Sequence, residues 1–175
     1  MIKMQKSHKI LFVIAVLLAI ISWIIAIFYW DSLPDIIPIH FGISGQADGW
    51  ANKSVFQVFM VPFIQLLMTV GFIFIYYKPQ YSDMPTTMWL ITLEKKHQDH
   101  AFKLIRIMIA GMSVWIGIMF TYLTYAMNQS AIKPEYDLST PIMMSIIGFM
   151  LIWLIFWTVR VYKTTKKAIS SIKNK

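Results

Sequence analysis

The chain contains no cysteine in its 175 residues. This absence excludes disulfide bonds, thiolate metal sites and cysteine nucleophiles. Charged residues are also scarce, making up 14% of the chain, whereas soluble domains carry about 25%. Hydrophobic residues make up 58%, so too few polar groups remain to cover the surface of a soluble domain. Much of the surface must therefore face lipid.

The sequence motifs of common enzyme classes are absent as well. The chain has no HExxH, GxSxG, phosphate-binding-loop or GxGxxG pattern, so no enzyme class is indicated and no cofactor is predicted. The net charge of +8 and the isoelectric point near 9.7 would suit nucleic-acid binding. The basic residues, however, are divided among three segments beside apolar runs. A membrane protein explains that distribution without a nucleic-acid partner.

Four apolar runs are long enough to cross a membrane, since a transmembrane helix needs about 20 predominantly apolar residues. The runs cover residues 10–30, 55–77, 104–127 and 141–162. The predicted fold is therefore an all-α polytopic membrane protein with four transmembrane helices, in a single domain over residues 1–175. A shorter apolar stretch, residues 88–93, is predicted to be an interfacial piece or the start of the third helix.

Lysine and arginine are distributed unevenly around the four runs. Fourteen of the 16 lie before the first run, around the loop between the second and third, or around the end of the fourth, and only Lys53 and Lys133 lie elsewhere. Cytoplasmic segments are enriched in basic residues. We therefore predict both termini, the loop 78–103 and a basic tail over residues 163–175 in the cytoplasm. With no disulfides in the outer loops, a bacterial plasma membrane is the predicted location.

Small and polar residues within the runs indicate how the helices pack. Ala15, Ala19, Ser22 and Ala26 are spaced by three or four residues, which places them on one helical face. Such a face lets helix backbones approach closely in lipid, so we predict that it packs inside the bundle. Gln65 lies in the middle of the second run. The favoured interpretation is an interhelical hydrogen bond of its side chain, and a position lining a site is the alternative.

The loop between the first two runs, residues 31–54, is long and contains many apolar residues. Two prolines favour extended backbone, and three glycines permit turns. We predict an ordered loop that folds onto the helix bundle. This arrangement presents His40, Asp48 and Lys53 at the outer face of the membrane.

One pattern in this loop is similar to a known family. The pattern is Leu33-Pro34, Ile37-Pro38, His40-Phe41, Gly45, Asp48, Trp50 and Lys53. It resembles the signature of the bacterial DUF1648 membrane domain, which is shared with the family of SdpI-type immunity proteins, over a two-helix unit of residues 1–77. The resemblance implies a bundle of four or more helices and, in one branch of the family, protection against a secreted toxic peptide. The predicted binding residues are His40, Phe41, Asp48, Trp50, Lys53 and Gln65.

His40 and Asp48 are also weak candidate ligands for a divalent metal, since imidazole and carboxylate groups bind such ions. Two ligands are fewer than the usual four of a closed zinc site, so acidic residues of the outer loops would have to join them. Those residues are Asp31, Asp35, Glu135 and Asp137. In the alternative interpretation, His40 and Asp48 hold each other or Lys53.

A second group of titratable residues lies in the predicted cytoplasmic loop. Glu94, His97 and His100 are spaced by three residues and would share a helix face. Glu-x-x-His spacing recurs in metal sites of helix bundles, but those sites combine motifs from two helices and are buried. A solvated start of a helix is therefore the favoured interpretation.

Three functions remain open. The first is immunity to, or sensing of, a secreted antimicrobial peptide through the outer loop. The second is a metal-dependent membrane enzyme that uses His40 and Asp48, with Gln65. The third is a small transporter or a subunit of one, with polar residues of the second run facing a path. The family resemblance favours the first, and the scarcity of charges inside the runs disfavours the third.

Overall fold

The computed structural model describes residues 4–77, 95–133 and 135–173. In these residues the chain forms four long helices and a two-stranded sheet. The elements are α1 (Lys6–Tyr29), β1 (Ile36–Phe41), β2 (Ala47–Asn52), α2 (Val55–Tyr77), α3 (Lys95–Ile132) and α4 (Thr140–Lys173), with a 3₁₀ turn at Trp30–Ser32. All four helices are long and apolar enough to cross a membrane. The predicted all-α membrane fold with four transmembrane helices is confirmed.

Two helices, α3 and α4, continue well beyond their apolar runs. α3 contains 38 residues and α4 contains 34, whereas α2 covers only its predicted run of residues 55–77. At ~1.5 Å per residue α3 is about 57 Å long, nearly twice the ~30 Å thickness of the hydrocarbon core. The predicted loop 78–103 therefore includes the first turns of α3, because a helix can continue into water with polar residues. The predicted interfacial piece at residues 88–93 lies outside the described residues.

The centre of the bundle is α3, which packs against α1, α2 and α4, while α1 also packs against α2. α1 turns its face of small residues inward. Ala15, Ala19, Ser22 and Ala26 are each at most 2% exposed, which confirms the predicted packing face. The opposite face of α1 is apolar and exposed, as expected of a helix in contact with lipid.

α4 lies at the edge of the bundle, and its main contact is with α3. None of its most apolar stretch is buried. Trp153 of α4 covers Gly111 of α3, and its indole Nε1 donates a hydrogen bond to the carbonyl oxygen of Met108 at 3.2 Å. This contact fixes the position of α4 against its neighbour.

The outer loop forms an antiparallel β-hairpin, which the sequence analysis did not predict. Pro38 of β1 pairs with Trp50 of β2, and a tight turn over residues 42–46 joins the strands. A proline inside β1 is compatible with pairing because both strands of a two-stranded sheet are edge strands. The extended backbone expected around the prolines is present, and Gly42 and Gly45 form the expected turn. The turn expected at Asp48-Gly49 is wrong, because both residues lie within β2, where Gly49 pairs with His40.

The hairpin rests on the outer end of the bundle, which we define as the end where α1 and α3 finish and α2 and α4 begin. Leu33 and Ile37 are 7% and 4% exposed and pack against Ala26 of α1 and Val58 of α2. Removing each such side chain from water contributes about 1.5–3 kcal/mol. The prediction that the apolar loop folds onto the bundle is confirmed.

Candidate functional site

Lys53 ties the base of the hairpin to the end of α1. Its ammonium Nζ donates to the carbonyl oxygen of Trp30 at 2.6 Å and to that of Leu33 at 3.1 Å. The same Nζ lies 4.9 Å from the centroid of the Trp30 ring. A cation at this position satisfies carbonyl groups that the end of a helix leaves without partners. Lys53, predicted as a binding residue, is placed here as an anchor of the loop.

The tip of the hairpin is held by the connection between α3 and α4. The backbone nitrogen of Leu138 donates to the carbonyl oxygen of Gly45 at 2.8 Å, and the Thr140 hydroxyl lies 3.3 Å from the carbonyl oxygen of Ile43. Gly45 has a φ of +88°, which favours glycine. The hairpin is thus attached at both its base and its tip.

His40 and Asp48 form a hydrogen-bonded pair on the outer face of the hairpin. The imidazole Nδ1 of His40 contacts the carboxylate Oδ1 of Asp48, and the two side chains are 71% and 52% exposed. The interpretation that these residues hold each other is confirmed. The carboxylate orients the imidazole ring and leaves its Nε2 edge for a partner outside the chain.

Two glycines make room for this pair. His40 lies opposite Gly49 in the sheet, and a β-carbon at Gly49 would stand 2.8 Å from the β-carbon of His40. A β-carbon at Gly42 would stand 3.0 Å from Oδ2 of Asp48. Larger residues at either position would therefore displace the pair.

Apolar side chains surround the pair on the hairpin surface. Trp50 is 51% exposed, Ile36 is 57% exposed and Ile43, at the turn, is 92% exposed. Phe41 is half-buried at the end of β1. The exposed surface of the hairpin thus combines a carboxylate and an imidazole with aromatic and aliphatic groups.

Gln65 lies apart from the hairpin, inside the bundle, where it is fully buried. Its Oε1 accepts a hydrogen bond from the Ser22 hydroxyl at 2.5 Å. Its Nε2 lies 3.2 Å from the carbonyl oxygen of Gly117 and 3.2 Å from the Thr121 hydroxyl oxygen. Gln65 therefore connects α1, α2 and α3, and the expected interhelical hydrogen bond is confirmed. The structure does not bring it together with His40 and Asp48.

The family comparison matches this part of the chain. The model of the Domain of unknown function (DUF1648) matches residues 17–66. The match begins in α1, includes the whole hairpin with the His40–Asp48 pair, and ends in α2 immediately after Gln65. This protein carries a DUF1648 domain. No curated protein and no solved structure shows a significant match to the chain.

The DUF1648 segment packs against α3, which lies outside the match. The Thr121 hydroxyl of α3 is 3.1 Å from the Ser22 hydroxyl and 3.1 Å from the carbonyl oxygen of Leu18. Towards the outer end, the side-chain amide of Gln129 donates to the Tyr29 hydroxyl at 2.7 Å. α1 is therefore hydrogen-bonded to α3 at two depths.

A small cavity of about 10 Å³ lies between the DUF1648 hairpin and the helices, which is room for one water molecule. Ile37 and Pro38 form its roof, and Gln57, Thr124 and Asn128 supply polar groups to its wall. The two α3 residues, Thr124 and Asn128, are not among the site residues predicted from the sequence. Their spacing of four within an apolar run is the signal that places both on one helical face.

The described residues do not bring metal ligands together around the DUF1648 hairpin. Among residues 4–77, 95–133 and 135–173, no three histidine or acidic side chains are grouped so as to hold an ion. His40 and Asp48 contact each other, without Asp31, Asp35, Glu135 or Asp137 in a common site. The predicted group of Glu94, His97 and His100 lies partly outside the described residues and stays a prediction.

Tyr136 lies in the connection against which the DUF1648 hairpin rests. Burial raises the pKa of its phenol above the usual value, and the neighbouring Tyr122 and Tyr125 raise that pKa further. The phenol is therefore protonated at neutral pH. Its ring meets that of Tyr125 edge-on, with centroids 6.4 Å apart, so this connection is packed onto α3.

Proposed function

We propose that this protein recognises a secreted antimicrobial peptide through the DUF1648 hairpin and gives immunity to that peptide or senses it. We place it in a bacterial plasma membrane, with both termini in the cytoplasm and the hairpin outside. The observation that carries the proposal is the exposed His40–Asp48 pair, held by a hairpin that is attached to the bundle at base and tip. The resemblance to SdpI-type immunity proteins supports the same function.

The charge of the outer end supports a cationic peptide as the partner. Of the eight acidic residues in the chain, five lie on this end, and all five are exposed. They are Asp31, Asp35, Asp48, Glu135 and Asp137. The two basic residues of the same loops are Lys53, which is bonded to backbone carbonyl groups, and Lys133. An acidic surface with exposed apolar groups attracts and orients a cationic amphipathic peptide.

Asp48→Asn and His40→Ala are each expected to reduce protection. His40→Ala removes the hydrogen bond of the pair, and Asp48→Asn removes the negative charge of its acceptor. About tenfold weaker peptide binding corresponds to a loss of ~1.4 kcal/mol. The measurement is the survival of a sensitive bacterium that expresses the full chain and is challenged with cationic membrane-active peptides. We expect the inhibitory concentration to fall about tenfold towards that of cells without the protein.

The matched control is Asp99→Asn, which makes the same chemical change at an exposed residue near the start of α3, at the opposite end of the bundle from the acidic surface. It should retain nearly all the protection at equal membrane levels. A wild-type protein that protects against no peptide would overturn the proposed function. Protection that survives both His40→Ala and Asp48→Asn would instead move the recognition surface away from the pair.

The orientation of the chain is a separate prediction. A reporter enzyme that is active only outside the cytoplasm should be active when inserted in the turn at residues 42–46, and inactive when fused after Lys175. The physical reason is that 14 of the 16 basic residues flank the opposite end of the bundle, and such residues remain in the cytoplasm. The reverse pattern of activity would show that the hairpin faces the cytoplasm and would contradict the prediction.

A further inference from the structure

A groove runs along the outside of α1 at the end of the bundle opposite the hairpin. Two exposed lysines, Lys6 and Lys9, line its mouth, and Val13, Val16 and Leu17 line its length. Tyr77, the last residue of α2, contributes to the other wall. The volume of the groove is about 620 Å³, within the range of about 300–1,000 Å³ that is typical of ligand sites.

The groove lies beside the packing surface of α1. Lys6, Lys9, Val13, Val16 and Leu17 are exposed, whereas Phe12, which also lines the groove, is buried in the core. The small residues Ala15 to Ala26 occupy the buried side of the helix. From Lys6 to Leu17 the helix rises about 16 Å. This length corresponds to about half of the ~30 Å hydrocarbon core, which is the depth of one leaflet.

The groove is basic at one end and apolar along the rest of its length, which matches the charged headgroup and the acyl chain of an anionic phospholipid. Two ammonium groups stand at the mouth, where headgroups lie, and aliphatic side chains follow towards the centre of the membrane. Arg106, whose Nε donates to the carbonyl oxygen of Tyr76 at 3.2 Å, adds positive charge at the same end of the bundle. Basic groups between transmembrane helices on the cytoplasmic side are suited to anionic lipid headgroups.

We propose that this groove binds one anionic phospholipid. Its phosphate lies between the ammonium groups of Lys6 and Lys9, and one acyl chain lies along Val13, Val16 and Leu17. The charge of the mouth selects an anionic over a zwitterionic headgroup, and the concave apolar wall retains the chain. The site would tie the N-terminal end of α1 to the cytoplasmic leaflet.

The proposal is tested by native mass spectrometry of the full chain, released from vesicles that contain phosphatidylglycerol and phosphatidylcholine in equal amounts. The wild-type protein should retain one phosphatidylglycerol molecule. Lys6→Gln/Lys9→Gln should reduce the bound fraction about tenfold, because each well-placed lysine contributes to anionic-lipid binding. Val13→Trp, which fills the groove and leaves both lysines, should reduce it as well.

The control is Lys163→Gln/Lys166→Gln, which removes the same charge from exposed positions of α4 and should leave the bound lipid unchanged. Equal loss in both double variants would overturn the proposal, since it would indicate unspecific attraction. Retention of phosphatidylglycerol by Lys6→Gln/Lys9→Gln would also overturn it. A dimer without bound lipid that dissociates on Val13→Trp would show that a second copy of the chain occupies the groove instead.

Discussion

Gly45→Ala is expected to release the tip of the hairpin from the connection between α3 and α4. A β-carbon at this position would stand 2.1 Å from the carbonyl oxygen of Leu138, a backbone atom that cannot rotate away. The φ of +88° adds the cost of a left-handed conformation, about 1–2 kcal/mol. With the hydrogen bond from the Leu138 nitrogen lost, the total cost is about 2–4 kcal/mol.

The measurement is hydrogen–deuterium exchange of the full chain in micelles or nanodiscs. Amides of β1 and β2 should exchange about a hundredfold faster in Gly45→Ala, because the hairpin opens without unfolding of the helices. Gln46→Ala is the control, since the Gln46 side chain is exposed in the same turn and its truncation should leave the exchange unchanged. Wild-type exchange rates in Gly45→Ala would show that the contact with Leu138 does not hold the hairpin.

Gly111→Ala is expected to separate α4 from α3. A β-carbon at Gly111 would stand 2.1 to 2.5 Å from three atoms of the Trp153 indole. The ring cannot turn without losing its hydrogen bond to the carbonyl oxygen of Met108. Because α4 has its main contact with α3, the strain falls on the main interface of this helix within the described residues. The expected cost is about 2–3 kcal/mol of unfolding free energy.

Unfolding in a titration with denaturing detergent measures this effect, with the loss of helix followed by circular dichroism. Gly148→Ala is the matched control on α4, where an added β-carbon would meet nothing within 4 Å. It should be neutral or slightly stabilising, because alanine is favoured over glycine in a helix by up to ~1 kcal/mol. Equal stability of the two variants would contradict the close packing of Trp153 on Gly111.

Both substitutions lie outside the His40–Asp48 pair, yet they differ in their expected effect on the proposed function. Gly45→Ala frees the hairpin that carries the pair and should reduce protection in the survival assay. Gly111→Ala acts at the contact between α3 and α4 and should reduce protection only through the amount of folded protein. Protection divided by the amount of protein in the membrane therefore separates the loss of a rigid recognition surface from the loss of folded protein.

Several parts of the candidate site could be predicted from sequence alone. The pairing of His40 with Asp48 was one of two interpretations, because eight residues and a glycine-rich turn allow the chain to reverse between them. The hydrogen bond of Gln65 was expected because an amide in the apolar environment of a membrane needs a partner. The role of Lys53 as an anchor could not be predicted, since its carbonyl partners belong to residues 20 and 23 positions away.

The sequence by itself determined the transmembrane helices and the inward face of α1. Lipid imposes a simple requirement of about 20 apolar residues per helix, and the spacing of small residues follows the helical period, so both features are local. The tertiary structure decided three further features. They are the packing of α3 against the DUF1648 segment, the docking of Gly45 on Leu138, and the lipid-sized groove. These features depend on atoms that are far apart in sequence, and they exist only once the helices have packed.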